Sequence, residues 1–410
     1  MQVSTTDILI KGLYMKTVMT IKDTCEFYNG TGFPMVYQGK TAGKYPFYKV
    51  GDISKNVQLG NCYLKECDNY IDDEILNQLR GVLVPANSIA FAKIGEALKL
   101  NRRTITSTPC LVDNNVIAIH PNEEILDVEY FYYFMKTVNM ADYSSSTTVP
   151  SVKKSSLEKI GVPTPELNEQ KRISNELNTL SFAIQSKKDE LSSLDELVKS
   201  RFIEMFGDIV RNDKSWATEI ITKVCPIKQY DGRITECDGK IWLLNLDLVE
   251  SNTGVILDKY YVAKTEIGNS TITFSEDNVL YSKLRPYLNK VVVPDGNGYA
   301  TSELIPFFPL SQVNKYYLAY ALRSESFVTL INSKAGGAKM PRAPMDFIRS
   351  FPLPVPPIEL QNEFAEFVKL IDKSKFVCHS KNFLCDIFTF SSSTIAYPSV
   401  VSIFVCPKRC

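Results

Sequence analysis

The sequence is poor in histidine. Two residues, His120 and His379, serve 410 positions, which removes the side chain that most often moves protons near neutral pH. A serine–histidine or cysteine–histidine nucleophilic site has almost nothing to be built from. His120 closes the apolar run VIAIH and is read as a strand-end residue. The ten cysteines are scattered and none forms a C-x-x-C pair, so a structural zinc site lacks its usual ligand spacing. No phosphate loop of the form G-x-x-x-x-G-K-S/T and no G-x-G-x-x-G turn occurs. A D/N/S-P-P-Y/F adenine-methyltransferase motif and a PD…(D/E)-x-K nuclease arrangement are missing too. Net charge is also missing: Lys plus Arg and Asp plus Glu both number 46. Any nucleic-acid surface must therefore be a local patch, not a property of the whole chain. The first residues, MQVSTTDILIKGLY, do not follow the charged, apolar, small order of a secretion signal. The expectation is a protein of the reducing cytoplasm with free thiols.

What the sequence does contain is a repeat. VPTPELNEQKRI (162–173) returns as LPVPPIELQNEF (353–364): Pro163, Pro165 and Gln170 reappear as Pro354, Pro356 and Gln361, all 191 positions later. At the same offset Val149-Pro150 matches Met340-Pro341, Leu157 matches Ile348, and Ile160 matches Phe351. With small slips the pattern reaches further upstream. FAKIGEALKLNRR (91–103) parallels YSKLRPYLNKVVV (281–293), YKVGDIS (48–54) parallels LNLDLVE (244–250), and YFYYFMKT (130–137) parallels YYLAYALRS (316–324). A period near 190 exceeds any solenoid unit and signals a duplicated domain followed each time by a connector.

Within each copy, β-branched and aromatic runs such as GVLVP, SIAFAKI, VIAIH, IWLLNLDL, GVILDKYYV and NKVVVP are punctuated by Gly, Asn, Asp and Pro, as short strands are. An aromatic helical stretch follows, read as core packing, then a polar loop (SSSTTVPSVKKSS; SKAGGAKMPRAP), a final strand and the proline junction. After the first junction comes the most regular segment of the chain. Ile173, Leu177, Leu180, Ile184, Leu191, Leu194, Val198 and Met205, with Lys187 and Arg201 interposed, alternate spacings of four and three. That is the 3.5-residue period of a coiled-coil seam, and it runs without Gly or Pro to Gly207. Forty helical residues span roughly 60 Å at 1.5 Å rise per residue. A helix packed on its own domain is the plainer alternative; the long, narrow seam favours a spacer.

These stretches resemble the specificity subunits of type I restriction–modification systems. The resemblance covers roughly residues 15–375. It rests on GTGFPMVYQGKTAGKYPFYKVGDIS (30–54), FAKIGEAL (91–98), VPTPELNEQKRI, YSKLRPYLNKVV followed by ATSELIPFFP, and LPVPPIELQNEF, in that order. It implies an α+β fold: two duplicated β-rich target-recognition domains separated by long antiparallel coiled-coil helices. It implies that each domain reads one half of a split double-stranded DNA site. The helices would set the unread gap and dock two adenine-N6 methyltransferase subunits. Two ATP-dependent restriction/translocase subunits would complete the assembly. On this reading the chain is non-catalytic and holds no cofactor itself; S-adenosylmethionine, ATP and magnesium belong to the partners. A lobed scaffold that holds proteins without reading DNA is the alternative.

The expected layout is an N-terminal extension (1–14), recognition domain 1 (15–165), a central spacer helix (166–206), recognition domain 2 (207–356), a short distal spacer helix (357–375) and an atypical tail (376–410). The candidate DNA contacts are basic residues in matching places: Lys93, Lys99, Arg102, Arg103, Lys153 and Lys154 in the first copy. In the second they are Lys283, Arg285, Lys290, Lys339 and Arg342. Phosphate contacts position such a protein, and side chains at base edges specify sequence. One departure from the family stands out. The distal helix carries seam residues Phe364, Val368 and Ile371, then Lys375, Cys378 and Asn382 where apolar residues should follow. The tail holds four of the ten cysteines and no heptad, and its polar run FSSST, Asp386 and Pro398 argue against a membrane span. A tail that cannot cover the central helix is expected to pack loosely.

Overall fold

Each proline junction closes a two-stranded sheet. Gly161–Pro163 pairs antiparallel with Val18–Thr20, Val18 opposite Pro163. Pro352–Pro354 pairs in the same way with Thr218–Ile220, Thr218 opposite Pro354. Proline offers no amide hydrogen to a further strand, and neither ladder grows beyond two. Two residues past Pro165 and Pro356 the chain enters a helix: Leu167–Phe206, of 40 residues, and Ile358–His379, of 22. The computed structural model describes residues 18–65, 67–144, 149–337 and 339–379. The extension expected over 1–14 lies outside these, as does the tail from 380 onward. The chain divides into two units inside the long helix, between Ser186 and Lys187.

A buried primary amide locks each junction. The Gln170 carboxamide is wholly buried. Its Oε1 accepts from the Asp127 backbone N–H (2.9 Å), and its Nε2 donates to the carbonyls of Ile125 (2.9 Å) and Pro165 (2.8 Å). Gln361, equally buried, repeats this in the second unit: Oε1 accepts from Asn314 N–H (2.8 Å), and Nε2 donates to Gln312 (3.1 Å) and Pro356 (2.7 Å) carbonyls. A tyrosine completes each clasp. Tyr130 donates its hydroxyl to the Pro163 carbonyl (3.0 Å) and Tyr317 to that of Pro354 (2.7 Å). These tyrosines lie on the aromatic helices Val128–Thr137 and Lys315–Arg323, which Asp127 and Asn314 cap by accepting from Tyr130 N–H and Tyr316 N–H. The repeat aligns Tyr130 with Tyr317, one position off the register that places YFYYFMKT beside YYLAYALRS.

The β elements are short and split. The first unit has a four-stranded sheet, ordered Cys25–Asn29, Val116–Pro121, Ile89–Ala92, Thr104–Ile105, and a three-stranded one, ordered Tyr70–Ile71, Tyr45–Tyr48, Leu111–Val112. The second unit has Val279–Ser282 between Val291–Val292 and Leu304–Phe307. Beside it is a five-stranded sheet in which Lys240–Leu244 pairs with Glu236–Cys237, Tyr261–Ala263 and Gly298–Thr301, the last of which pairs with Thr271–Phe274. His120 sits near the end of its strand beside Ser88, as expected. Two expected strands shrink. GVLVP keeps only the single bridge Val84↔Cys110, because Arg80 caps the preceding helix in the left-handed region and Pro85 cannot donate. GVILDKYYV keeps its end, in Tyr261–Ala263, and the single bridge Val249↔Ile256.

The long helix follows the sequence at its ends and departs from it in pitch. Gly207 stops it at φ +75°, where a Cβ would lie 2.0 Å from Asp213 Oδ1. Ile173 and Leu177 pack into the first unit's core around Phe131 and Tyr133. In the second unit Leu194, Val198, Met205, Phe206 and Phe202 join Phe364, Val368 and Ile371 in one core. Phe202, buried and ringed by Phe206, Tyr317, Tyr320 and Phe364, takes the place the seam assigns to Arg201. Arg201 instead bridges Glu204 (2.9 Å) and Glu363 (3.0 Å). A straight helix turns at 3.6 residues and drifts off a 3.5 repeat, so the buried stripe moves from 201 to 202. Asp195 pairs with Lys375, and Arg201 with Glu363. These residue numbers rise on one helix as they fall on the other, so the two run antiparallel within this unit. Ile184 stays exposed at 42 %. The stripe is therefore core-packed at both ends and exposed at Ile184 between them. The helical backbone extends four residues beyond the expected limit at Lys375.

The clasp can be tested by changing its chemistry at constant volume. Gln361→Glu keeps the acceptor facing Asn314 but turns the donor facing Gln312 and Pro356 into an acceptor. With two buried carbonyls unsatisfied and a carboxyl buried, denaturant unfolding should show a loss of roughly 2–4 kcal/mol in the second unit. Gln170→Glu should cost the first unit a similar amount.

Candidate nucleic-acid interface

In both units three chain segments meet where a central strand ends. Lys93 follows Ile89–Ala92: its N–H donates to the Asn115 carbonyl (2.9 Å), and its own carbonyl accepts from Val152 N–H (2.9 Å). Two residues on, Gly95 N–H donates to Pro150 (2.8 Å). Lys283 follows Val279–Ser282 and is held alike, donating to Glu303 (3.0 Å) and accepting from Ala343 (2.8 Å), while Arg285 N–H donates to Pro341 (2.8 Å). The backbone frame is the same and the residues on it differ. Gly95 has φ +82° and Arg285 φ +49°, so a position that favours glycine holds an arginine in the second unit.

This junction gathers some of the candidate cations and leaves others aside. In the first unit it brings together half-buried Lys93 and exposed Lys153. Partial burial lowers the Lys93 ammonium from its ordinary range, and Asp113 opposes the shift. Lys154 lies next along, 5.1 Å over the Phe27 ring and 3.8 Å from Glu158. Lys99 is exposed and tied to Glu96 at 2.8 Å. Arg102 is half-exposed, without a hydrogen bond or ion pair among the described residues. Arg103 is not a surface cation. It is 2 % exposed, its guanidinium donates to Val138 O (2.7 Å) and Asn101 Oδ1 (2.8 Å), and it lies over Phe91. Burial pushes it down to about 10. It braces the turn that follows the strand, a task for which its five donors suit it.

In the second unit the junction collects Lys283 and Arg342 about one carboxylate, Glu303, with Arg285 on the adjoining turn. Arg342 Nη2 donates to Glu303 Oε1 at 2.8 Å, and Lys283 Nζ is 4.0 Å from Oε2. The hydrogen bond from Arg342, then the charge of Lys283, hold the Glu303 carboxyl below its ordinary range against partial burial. Lys339 is exposed on the same loop. Lys290 is turned inward, donating to the Leu246 carbonyl at 2.6 Å. Sequence reasoning missed Glu303 and its counterpart Asn115, since an acidic residue does not advertise a DNA surface. The available signal was position: each stands one residue before the strand that pairs with the lysine-bearing strand.

Among the described residues, no cluster of three metal-ligating side chains occurs, and no helix is long and apolar enough to cross a membrane. Six described cysteines are free thiols.

The type I restriction modification DNA specificity domain matches twice, over residues 15–196 and 220–381. The chain is 19 % identical over 281 residues to the EcoDI specificity subunit of Escherichia coli, an alignment covering 60 % of this chain and 63 % of that protein. It is 22 % identical over 302 residues to the MjaVIII specificity subunit of Methanocaldococcus jannaschii, covering 64 % and 67 %. With the EcoR124I/EcoR124II specificity subunit of E. coli it shares 26 % over 183 residues, 42 % and 45 % of the two chains. The alignments thus span less than two thirds of the EcoDI and EcoR124I proteins. In fold, the chain is similar to the crystal structure of the type I restriction-modification system S subunit from M. genitalium, with a TM-score of 0.52 at 14 % identity over 96 % of each chain. Two domain matches, placed on the two copies that the internal repeat defines, show that this chain belongs to the type I restriction–modification DNA specificity family.

Proposed function

We propose that this protein is the DNA-reading subunit of a type I restriction–modification complex. Each unit reads one half of a split double-stranded site, and the helices launched from the two clasps set the gap between halves. The observation that carries this reading is the paired construction: the same buried Gln–Tyr–Pro lock starts a helix at the foot of each β-rich lobe. Each lobe also brings basic residues to the same strand-end junction. A scaffold has no use for cations in matching loops, whereas a DNA reader needs them for phosphates and base edges.

Two adenine-N6 methyltransferase subunits dock on the helices in this proposal, and two restriction/translocase subunits join them in the cytoplasm. Those partners supply the sites for S-adenosylmethionine, ATP and magnesium. The chain itself performs no chemistry. Incubated alone with DNA and labelled S-adenosylmethionine, it should transfer no methyl groups, and reproducible methylation by the purified chain would refute that part of the proposal.

Modularity gives a direct test. Exchanging residues 210–352 for the matching region of a relative should change one half of the methylated motif and leave the other intact. A motif altered in both halves would rule out independent reading. The spacer role has its own measurement. One heptad inserted after Leu191 adds ~10 Å of helix at 1.5 Å per residue, or roughly three base pairs at 3.4 Å each. The methylated motif should lengthen its gap by that amount; an unchanged gap would remove the spacer role.

A further inference from the structure

The two strand-end junctions share a backbone but not a chemistry, and the difference is local. At the position of Gly95 the second unit has Arg285, in place of Asn115 it has Glu303, and in place of Ser151 it has Arg342. The pairings follow from matching hydrogen bonds and from the bridges Ile94↔Ser151 and Leu284↔Arg342. The lysine (Lys93, Lys283) and the proline (Pro150, Pro341) are retained. A loop kept only for phosphate attraction would need positive charge and no added carboxylate.

Glu303 is therefore the informative residue. Its two oxygens face Nε and Nη2 of Arg342, at 3.5 and 2.8 Å. That side-on grip fixes the guanidinium plane and leaves the outer edge, Nη1 and the second hydrogen of Nη2, unused. Two parallel N–H groups on a fixed plane match O6 and N7 of guanine in the major groove, the commonest base-specific contact an arginine makes. The Arg342 backbone is held as well, exchanging hydrogen bonds with Gly336. Arg285 adds an independent sign. It occupies a left-handed conformation that arginine adopts at a cost, and its Nε is buried with no partner among the described residues. A side chain kept under those conditions, where the other unit manages with glycine, is held for something other than folding.

We propose that Arg342, positioned by Glu303, reads a guanine in the half-site of the second unit, and that the first unit has no guanine reader at the equivalent place. This rests on the DNA-reading function proposed above and assigns one of its specificity residues. Arg342 is the base contact, and Glu303 is a positioning residue that acts through it.

The test is selection from a randomised double-stranded oligonucleotide library by the full-length chain. The wild type should enrich a two-part motif. Arg342→Ser, the first unit's residue at that place, should lose on the order of 10-fold in guanine preference at one position of one half, the scale of a bidentate base contact. Every position of the other half should stay unchanged, and so should the thermal unfolding midpoint. Glu303→Gln should weaken preference at that same position while raising affinity for random duplex, since it removes a negative charge from the surface; a purely structural ion pair would not produce that split. If Arg342→Ser or Glu303→Gln enriches the wild-type motif unaltered, the guanine assignment is wrong and DNA reading stands. A wild-type chain that enriches no motif overturns both.

Discussion

The repeated junction of lobe and helix is tied to one buried carboxamide. Gln170 and Gln361 each have one acceptor and two donors engaged, with the partners split between a loop before the aromatic helix and the proline two residues past the last strand. A primary amide offers an acceptor and two donors on one plane, with no charge to bury. Glutamate lacks the donors, and a shorter asparagine would leave one side of the gap open. Because a buried polar atom without a partner costs more than a satisfied one contributes, the amide, the two carbonyls and the amide hydrogen must be placed together or not at all. The clasp thus fixes where the helix starts relative to its lobe. The prolines serve the same end. Their carbonyls accept from glutamine and tyrosine, and their missing amide hydrogens keep the two-stranded sheet from extending.

Much of this was legible in the sequence. Gln170 and Gln361 stand at one offset with two proline pairs, and Ile160 and Phe351, matched on sequence, prove to be the residues whose carbonyls accept from Ile21 and Ile221. The alternation of apolar residues announced the long helix, and Gly207 announced its end. The errors have specific causes. The heptad frame assigned Arg201 to the buried stripe because a strict 3.5 period was carried across the whole helix. Phe202 wins the place because the last turns pack on a broad lobe core, where the natural 3.6 pitch prevails. Arg103 looked like a DNA contact as one of the basic residues in matching places of the two copies. Burial depends on the turn that Asn101 makes in the left-handed region, which composition does not reveal.

The candidate interface was the least legible part, and the reason is that its chemistry arises from tertiary contacts. Lys283, Glu303 and Arg342 lie twenty and thirty-nine residues apart in sequence and meet only because Leu304–Phe307 pairs with Val279–Ser282 and the 336–342 loop folds back on the strand end. Sequence alone could nominate the two cations. It could not supply the carboxylate that distinguishes a held guanidinium from a mobile one.

The repeat also separates what a duplicated domain must keep from what it is free to change. The clasp is interior, and each of its atoms constrains two others, so a single substitution leaves an unsatisfied group. The strand-end frame is held by main-chain hydrogen bonds, which are indifferent to the side chains they carry. Val152 N–H to Lys93 and Ala343 N–H to Lys283 have the same form although the residues differ. Side chains projecting from that frame can vary from Gly95 to Arg285, or from Ser151 to Arg342, without disturbing the sheet beneath. At Gly95 no atom lies within 4 Å of where a Cβ would stand, so even the change to a large residue meets strain in the backbone and none in packing. Two lobes built this way can launch their helices alike while presenting different surfaces.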